Sequence, residues 1–200
     1  MARSSQVKRS TKETEIEVSL NLDGRGENDI DTTIPFLDHM LSQLSRHGYF
    51  DLKVKAKGDT HIDYHHTVED VGIVVGEAFS QALGNKKGIR RFADTQAPLN
   101  EALAQTVIDI SGRGYFVFNV KLPKSKIGEF DVELVPEFFQ AFAMNAGITL
   151  HMNSPYWENL HILLRPYLSH LLAHLIWPAL WIIERTKYHP LKENYSDCRN

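Results

Sequence analysis

The fold is decided by two passages of the same construction, LDHMLSQLSRHGYFDLKV (residues 37–54) and VPEFFQAFAMNAGITLHM (residues 135–152). Apolar residues recur at helical spacing through residues 36–47, which predicts an amphipathic helix that stops at Gly48. The residues that follow, FDLKVKAKGD, alternate apolar and polar as a half-buried strand does. In the second passage, VPEFFQAFAMNAG predicts a helix ended by Gly147, and ITLHMN predicts a strand. The same arrangement of helix, glycine and strand thus occurs twice.

The elements around these passages also recur in the same order. Strands are predicted over residues 14–22 and in DIDTTIP, and a second helix is predicted over residues 67–83. In the second half, ALAQTVIDISG and YFVFNVKL predict the corresponding strands. Any α+β chain can be divided into halves of this kind, but an ordered repeat of about ninety residues favours duplication. We expect one α+β unit with a first half over residues 1–93, a second half over residues 94–185 and a tail over residues 186–200.

The composition is that of an ordinary soluble globular protein. Hydrophobic residues make up 42% and charged residues 24%, and the net charge is −3 without a long basic run, so nucleic acid is not expected as a partner. The single cysteine, Cys198, excludes an intrachain disulfide and favours a reducing cytoplasm. The N-terminal residues contain no apolar stretch suited to a signal peptide, and the longest apolar run, residues 171–183, is too short to span a bilayer. We therefore expect a cytoplasmic protein without a membrane partner.

The strongest functional signal is GDTHIDYHHTVEDVG (residues 58–72), in which His61, His65, His66 and Glu69 fall within nine residues. Successive residues of a helix are rotated by about 100°, so His65 and His66 are expected to point in different directions. Glu69 follows them by four and three residues, which is within reach of either face. A divergent histidine pair with one shared carboxylate suits two neighbouring metal ions better than one.

A simpler interpretation of this stretch is the polar start of a helix. Asp63 would then be the capping residue, and Glu69 and Asp70 would lie at the positive end of the helix dipole. Metal binding is favoured over this interpretation because the histidines are concentrated beside carboxylates. Both interpretations place a helix start at this segment.

Several other residues are ambiguous when they are taken alone. A lone histidine on an otherwise apolar helix, such as His39, is more often structural than metal-binding. Glu13 and the arginines Arg90, Arg91 and Arg113 could hold an anion such as phosphate, although such charges are more often simply solvated. The sequence has no GxGxxG, Walker, GxSxG or HExxH motif, so nucleotide-binding, serine-hydrolase and zinc-peptidase functions lack support.

The chain resembles the imidazoleglycerol-phosphate dehydratases of histidine biosynthesis over about residues 9–161, in the ordered phrases FLDHML, GDTHIDYHHTVEDVG, KGIRRF, SGRGYF and EFFQAFAMNAGITLHM. The resemblance implies a tandem-repeat β-α-β sandwich, whose two similar halves each contain a four-stranded sheet with helices on one face. It implies a hydro-lyase that removes water from imidazole glycerol phosphate to give imidazole-acetol phosphate. It also implies two Mn(II) ions per active site and a homo-oligomer, usually of twenty-four subunits, with active sites between subunits.

The resemblance also assigns roles to individual residues. Glu13 matches an acidic residue at the substrate that is suited to proton transfer, and Arg91 and Arg113 match arginines that hold the phosphate end of the substrate. Six residues match metal ligands: His39, His65, His66, Glu69, Glu137 and His161. Of these, His39 also matches a substrate contact, and Glu137 stands where some relatives have a histidine. Metal ions on both nitrogens of the substrate's imidazole ring would favour its deprotonation and help the neighbouring hydroxyl leave as water.

The chain departs from the family after His161. Family members carry a second histidine pair with a glutamate, in a phrase like Asn-x-His-His-Ile-Ile-Glu-Ala, whereas this chain has ENLHILLRPYLSHLL. Residues 161–168 can be encoded so that a shifted frame reads His-Ile-Ile-Glu-Ala, and the same shift over residues 187–193 reads Ile-Pro-Ser-Thr-Lys-Gly, which resembles the family's phosphate-binding tail. Our hypothesis is a single-base deletion near codon 161, and the alternative is a genuinely divergent C-terminus.

The missing residues have a physical consequence. A two-metal site that lacks one histidine and one glutamate should bind metal poorly, and metal-linked assembly should weaken with it. We therefore expect impaired dehydratase activity from the chain as written. The alternative function is that of a non-catalytic metal-binding or assembly protein that retains one half-site.

Overall fold

The first half of the chain forms one four-stranded sheet with two helices. The computed structural model describes residues 3–159, and His161 and the rest of the C-terminal segment lie outside the described residues. The elements of this half are β1 (Ser4–Ser10), β2 (Thr14–Asn21), β3 (Asn28–Asp31), α1 (Pro35–Gly48), β4 (Asp51–Gly58) and α2 (His65–Leu83). The sheet order is β1-β2-β4-β3, with β3 parallel to β4 and the other neighbouring strands antiparallel. Because β3 and β4 run in the same direction, α1 and α2 begin at the same edge of the sheet.

The second half repeats this topology strand by strand. Its elements are β5 (Phe92–Leu99), β6 (Ala102–Asp109), β7 (Tyr115–Asn119), β8 (Lys126–Ile127), β9 (Phe130–Asp131), α3 (Leu134–Ala146) and β10 (Thr149–Asn153). The order of its four-stranded sheet is β5-β6-β10-β7, with β7 and β10 parallel, and β8 and β9 form a separate small hairpin. Helix α3 occupies the place of α1 between the two parallel strands. The predicted α+β fold of two similar halves, each with a four-stranded sheet, is therefore confirmed.

The exits of α1 and α3 show the repeat at the level of single residues. The two passages quoted above align Tyr49 with Gly147, and both residues adopt the left-handed conformation, with φ of 53° and 66°. The sequence predicted Gly48 as the stop of α1, but Gly48 is the last helical residue, and the tyrosine makes the turn. A left-handed non-glycine residue costs roughly 1–2 kcal/mol, so the surrounding fold imposes this conformation.

Four strands were not predicted by the hydrophobic pattern, namely the two-residue strands β8 and β9 and the longer strands β1 and β5. Strand β1 contributes only Val7 as a buried residue, and β5 contains Pro98, which cannot donate to a ladder. Both are edge strands of their sheets, where such sequences are tolerated. Helix α2 begins at His65, two residues before the predicted start. Within residues 3–159, no helix is long and apolar enough to cross a membrane.

Helices α2 and α3 pack closely and in parallel, and this contact joins the two halves. A Cβ atom on Gly72 would lie 2.7 Å from the Phe138 carbonyl oxygen, and one on Gly76 would lie 2.6 Å from the Phe142 carbonyl oxygen. Only glycine at these two positions allows the backbones to approach so closely. Since Gly72 faces Phe138 and Gly76 faces Phe142, the helices run in the same direction, and their N-termini lie at the same end of the molecule.

Candidate functional site

The histidine pair opens α2, where the loop from β4 enters the helix. The rings of His65 and His66 diverge as helix geometry predicts, with centroids 6.2 Å apart and planes at 79°. His65 Nε2 lies 3.7 Å from Glu69 Oε2 one turn later, and both side chains are about half exposed. The Asp63 carboxylate accepts a hydrogen bond from the His65 backbone N–H at 2.8 Å. Tyr64, and not the predicted Asp63, is the N-cap residue of α2, and the first turn of the helix contains no acidic residue, so the simpler interpretation is wrong in these two points. The segment presents two imidazoles that are about half exposed.

His66 is oriented by a carboxylate that the sequence did not single out. Its Nδ1 lies 3.0 Å from Asp59 Oδ2, and because an ionised carboxylate only accepts, Nδ1 carries the proton and Nε2 is the nitrogen left for another ligand. The Asp59 hydrogen bond raises the pKa of His66, and the charges of Asp63 and Glu13 add to the effect. The same bond lowers the pKa of Asp59. A histidine ligand held by an outer carboxylate is a common arrangement at metal sites.

Glu13 lies on the turn between β1 and β2 and is exposed. Its backbone N–H donates to Thr11 Oγ1 at 3.1 Å, while its carboxylate is close enough to His66 to contribute to the raised pKa of that imidazole. Strand β2 therefore brings a residue from the start of the chain to the beginning of α2. The resemblance assigned Glu13 and His66 to one site, and the charge of Glu13 acts on His66.

A pocket of about 250 Å³ joins the histidine end of α2 to the second half of the chain. Its lining residues are Asp63, Tyr64 and His65 from the first half and Asp131, Glu133, Leu134 and Glu137 from the second. Glu137 lies in the first turn of α3 and reaches this pocket because α2 and α3 start at the same end. Spacing along the sequence could not show this meeting of His65 and Glu137, since it depends on the packing of two helices.

His39 is the fifth residue of α1, near the same edge of the first sheet. It is exposed, and Phe36, one turn before it, packs on Phe130 with ring centroids 4.8 Å apart. Phe130 precedes Asp131, which lines the pocket just described. The start of α1 thus adjoins the histidine end. Within residues 3–159, no three histidine, cysteine, aspartate or glutamate side chains are close enough to hold one metal ion together.

The two predicted phosphate-binding arginines lie at the opposite end of α3. Arg91 forms two hydrogen bonds to the Asp109 carboxylate, at 2.6 and 3.0 Å, and Arg113 is exposed beside the same carboxylate. The pKa of Asp109 is lowered, chiefly by the Arg91 hydrogen bond. The Gly112 N–H donates to the Gly147 carbonyl, just beyond the C-terminus of α3. Helix α3 has 13 residues and spans about 20 Å, so one chain does not bring Arg91 or Arg113 to the histidines.

The fold and the pocket together define a class, that of α+β proteins with two similar halves and a pocket lined by histidine and carboxylate side chains from both halves. The family model "Imidazoleglycerol-phosphate dehydratase" matches residues 32–168. The chain belongs to the imidazoleglycerol-phosphate dehydratase family. This confirms the family that the sequence motifs indicated.

Individual relatives agree with this assignment. The imidazoleglycerol-phosphate dehydratase of Pelobacter propionicus is 58% identical over 161 residues, which cover 80% of this chain and 83% of that protein. The one from Geobacter sulfurreducens is 56% identical over the same shares of both chains. Among solved structures, the dehydratase of Staphylococcus aureus superposes with a TM-score of 0.78 at 34% identity and covers 88% of this chain and 97% of its own. The dehydratase of Pyrococcus furiosus superposes with a TM-score of 0.74 at 29% identity and covers 86% of this chain and 92% of its own.

Proposed function

We propose that this protein is an imidazoleglycerol-phosphate dehydratase of histidine biosynthesis, a hydro-lyase that removes water from imidazole glycerol phosphate to give imidazole-acetol phosphate. The observation that carries the proposal is the meeting of His65 with Glu137 in one pocket, in a chain of this family. The non-catalytic alternative is not favoured, because relatives with 56–58% identity over most of the chain are named as dehydratases.

The donor set supports Mn(II) as the metal. Imidazole nitrogens and carboxylate oxygens are the mixed donors that manganese accepts. His65 and Glu137 supply both kinds at the pocket, and Glu69 lies one turn after His65 on α2. His66 would hold metal through Nε2, since Nδ1 is engaged by Asp59, and His39 would contribute from the start of α1. When bound, Mn(II) would act as a Lewis acid toward the imidazole ring of the substrate.

The chain's own groups would move the protons and fix the substrate. Glu13, exposed on the turn between β1 and β2, is the group that would accept the weakly acidic proton next to the imidazole ring. Arg91 and Arg113 would hold the phosphate, because a guanidinium binds a phosphate through paired hydrogen bonds. In the free chain, Asp109 occupies Arg91 in the same way and keeps its side chain oriented.

The separation of the two ends supports a site shared between subunits. About 14 Å of α3 lies between Glu137 and the arginine end, which is more than a small phosphorylated imidazole can span. A homo-oligomer in which the arginines of one subunit face the histidines of another would complete the site, and the family resemblance suggests twenty-four subunits. The proposal includes a cytoplasmic location, which the single cysteine supports.

A dehydratase assay with purified protein and imidazole glycerol phosphate, with and without added Mn(II), tests the proposal. Manganese-dependent formation of imidazole-acetol phosphate is the expected result, at a rate below that of a relative with both histidine pairs. Elemental analysis of the same sample gives the number of bound ions. Bound manganese without any turnover would support the non-catalytic alternative and overturn the proposed activity.

A further inference from the structure

The turn that carries Glu13 is attached to α2 by a buried carboxylate. Asp70, one residue after Glu69, is only 9% exposed. Its Oδ2 accepts a hydrogen bond from Thr14 Oγ1 at 2.5 Å, and its Oδ1 lies 3.0 Å from Arg9 Nε. Arg9 and Thr14 flank the turn, so one carboxylate binds both sides of it.

The turn itself is closed by a second hydroxyl. Thr11 Oγ1 accepts the backbone N–H groups of Glu13 and Thr14 at 3.1 and 2.9 Å, and it lies 3.1 Å from Thr14 Oγ1. The Thr11 N–H in turn donates to the Thr14 carbonyl. The backbone conformation at Glu13 is therefore set by Thr11 and Thr14, and the position of Thr14 is set by Asp70.

Close packing supports the same contact. Thr14 pairs with Gly58 across β2 and β4, and a Cβ atom on Gly58 would lie 2.1 Å from Thr67 Oγ1 and 3.3 Å from the Thr14 methyl group. The first turn of α2 thus lies directly over the paired strands. Thr14 is 4% exposed, so its hydroxyl has no access to bulk water as an alternative partner.

We propose that Asp70 is a positioning residue of the dehydratase, which through Thr14 and Arg9 holds the turn that carries Glu13 against the start of α2. This inference rests on the proposed function, in which Glu13 moves the substrate proton. Asp70 itself touches no reacting atom, because its two oxygens are engaged by Arg9 and Thr14.

Amide hydrogen–deuterium exchange of residues 9–16, measured by mass spectrometry on the full metal-free protein, tests whether Asp70 anchors the turn. Thr14→Val removes the hydroxyl and keeps the shape of the side chain, and Asp70→Asn removes the charge. A buried hydrogen bond to a charged group is worth about 1.5–3 kcal/mol, so both variants are expected to speed exchange of this segment by about 10–100-fold. Thr14→Ser, which keeps the hydroxyl, is expected to exchange as the wild type does. Asp23→Asn is the matched control, because it breaks the Arg3–Asp23 bond near the other end of β1.

Kinetics then test the catalytic consequence. In Thr14→Val, kcat is expected to fall by about tenfold or more with KM changed less than about twofold, and Thr14→Ser is expected to restore kcat. Wild-type exchange in both Thr14→Val and Asp70→Asn would overturn the inference, as would normal kcat in Thr14→Val when Glu13→Gln is inactive. Full turnover in Glu13→Gln would instead refute the proposed role of Glu13, and the inference with it. The activity of Glu13→Gln distinguishes the two failures, because this variant is inactive in the first and fully active in the second.

Discussion

The two ends of the α2–α3 layer differ in how they are built. At the histidine end, a helix start, a β-turn and the first turn of α3 come together from both halves, and the polar groups orient one another. At the arginine end, Arg91 and Arg113 lie on exposed segments near one carboxylate, Asp109. The first end is preorganised by tertiary packing, and the second is a pair of accessible charges. A site that combined the histidine end of one subunit with the arginine end of another would keep the proposed metal-binding part rigid and the proposed anion-binding part exposed.

The largest expected effect comes from separating the helices that support both ends. Gly76→Leu would place a side chain against the Phe142 carbonyl and the Ala146 backbone, where there is no room for a Cβ. Overpacking of this kind is expected to lower the free energy of unfolding by about 3 kcal/mol, measured by urea denaturation. Gln81→Ala, on the exposed surface of α2, is the control and is expected to be near neutral. Unchanged stability of Gly76→Leu would show that the helices do not need their close approach.

The second prediction concerns the histidine end alone. His66→Ala removes a proposed ligand, and because loss of an outer partner of a ligand already costs about 10–100-fold in metal affinity, Mn(II) affinity is expected to fall by about a hundredfold or more. Titration calorimetry with Mn(II) measures it. Arg91→Ala serves as the control and should bind Mn(II) as the wild type does. An equal loss of Mn(II) affinity in both variants would show that metal binding does not distinguish the histidine end from the arginine end.

The third prediction concerns the arginine end. Arg91→Ala removes a charged hydrogen-bonding group worth about 1.5–3 kcal/mol and is expected to raise KM for the phosphorylated substrate by about 10–100-fold. Steady-state kinetics at saturating Mn(II) give the measurement. Arg90→Ala, in the adjacent and exposed position, should change KM far less. A KM effect of the same size in both would mean that only the net charge of the segment matters.

The smallest expected effect is a pH dependence of stability at the histidine end. Asp59 raises the pKa of His66, so the bond stabilises the fold below the ordinary histidine pKa of about 6.5, and the stabilisation is lost as pH rises through the folded value. Because the pKa of Asp59 is lowered, its carboxylate stays ionised and the bond persists until the pH falls through that lowered pKa. The melting temperature of Asp59→Asn should therefore lie below that of the wild type in mildly acidic solution and match it in alkaline solution. A difference that grows with rising pH would contradict the assigned direction.

The repeat and the three helices could be predicted because their apolar residues follow the periods of helix and strand. Strands β1 and β5 could not, since edge strands need few buried residues, and SSQVKRS and FADTQAPL carry little apolar pattern. The 37–54 and 135–152 passages aligned Tyr49 with Gly147, but a left-handed tyrosine is visible only in the backbone.

The site was predictable where it is local along the chain. The contact of His65 with Glu69 follows from helical spacing. The bond of His66 to Asp59 spans a loop, and the meeting of His65 with Glu137 depends on two helices packing in parallel, so neither follows from spacing. The resemblance grouped Arg91 with the histidines, and only the structure shows that one chain keeps them apart.

The glycine contact of α2 with α3 also bears on how a chain of two similar halves could arise by duplication. Helix α2 belongs to the first half and α3 to the second, so a single half would leave Gly72 and Gly76 without the backbone that fits them. Because α1 is the counterpart of α3, a half-length ancestor could cover that surface only with α1 from a second copy of itself. Such an ancestor would have been an obligate dimer, and gene fusion would have replaced a concentration-dependent association by a covalent link.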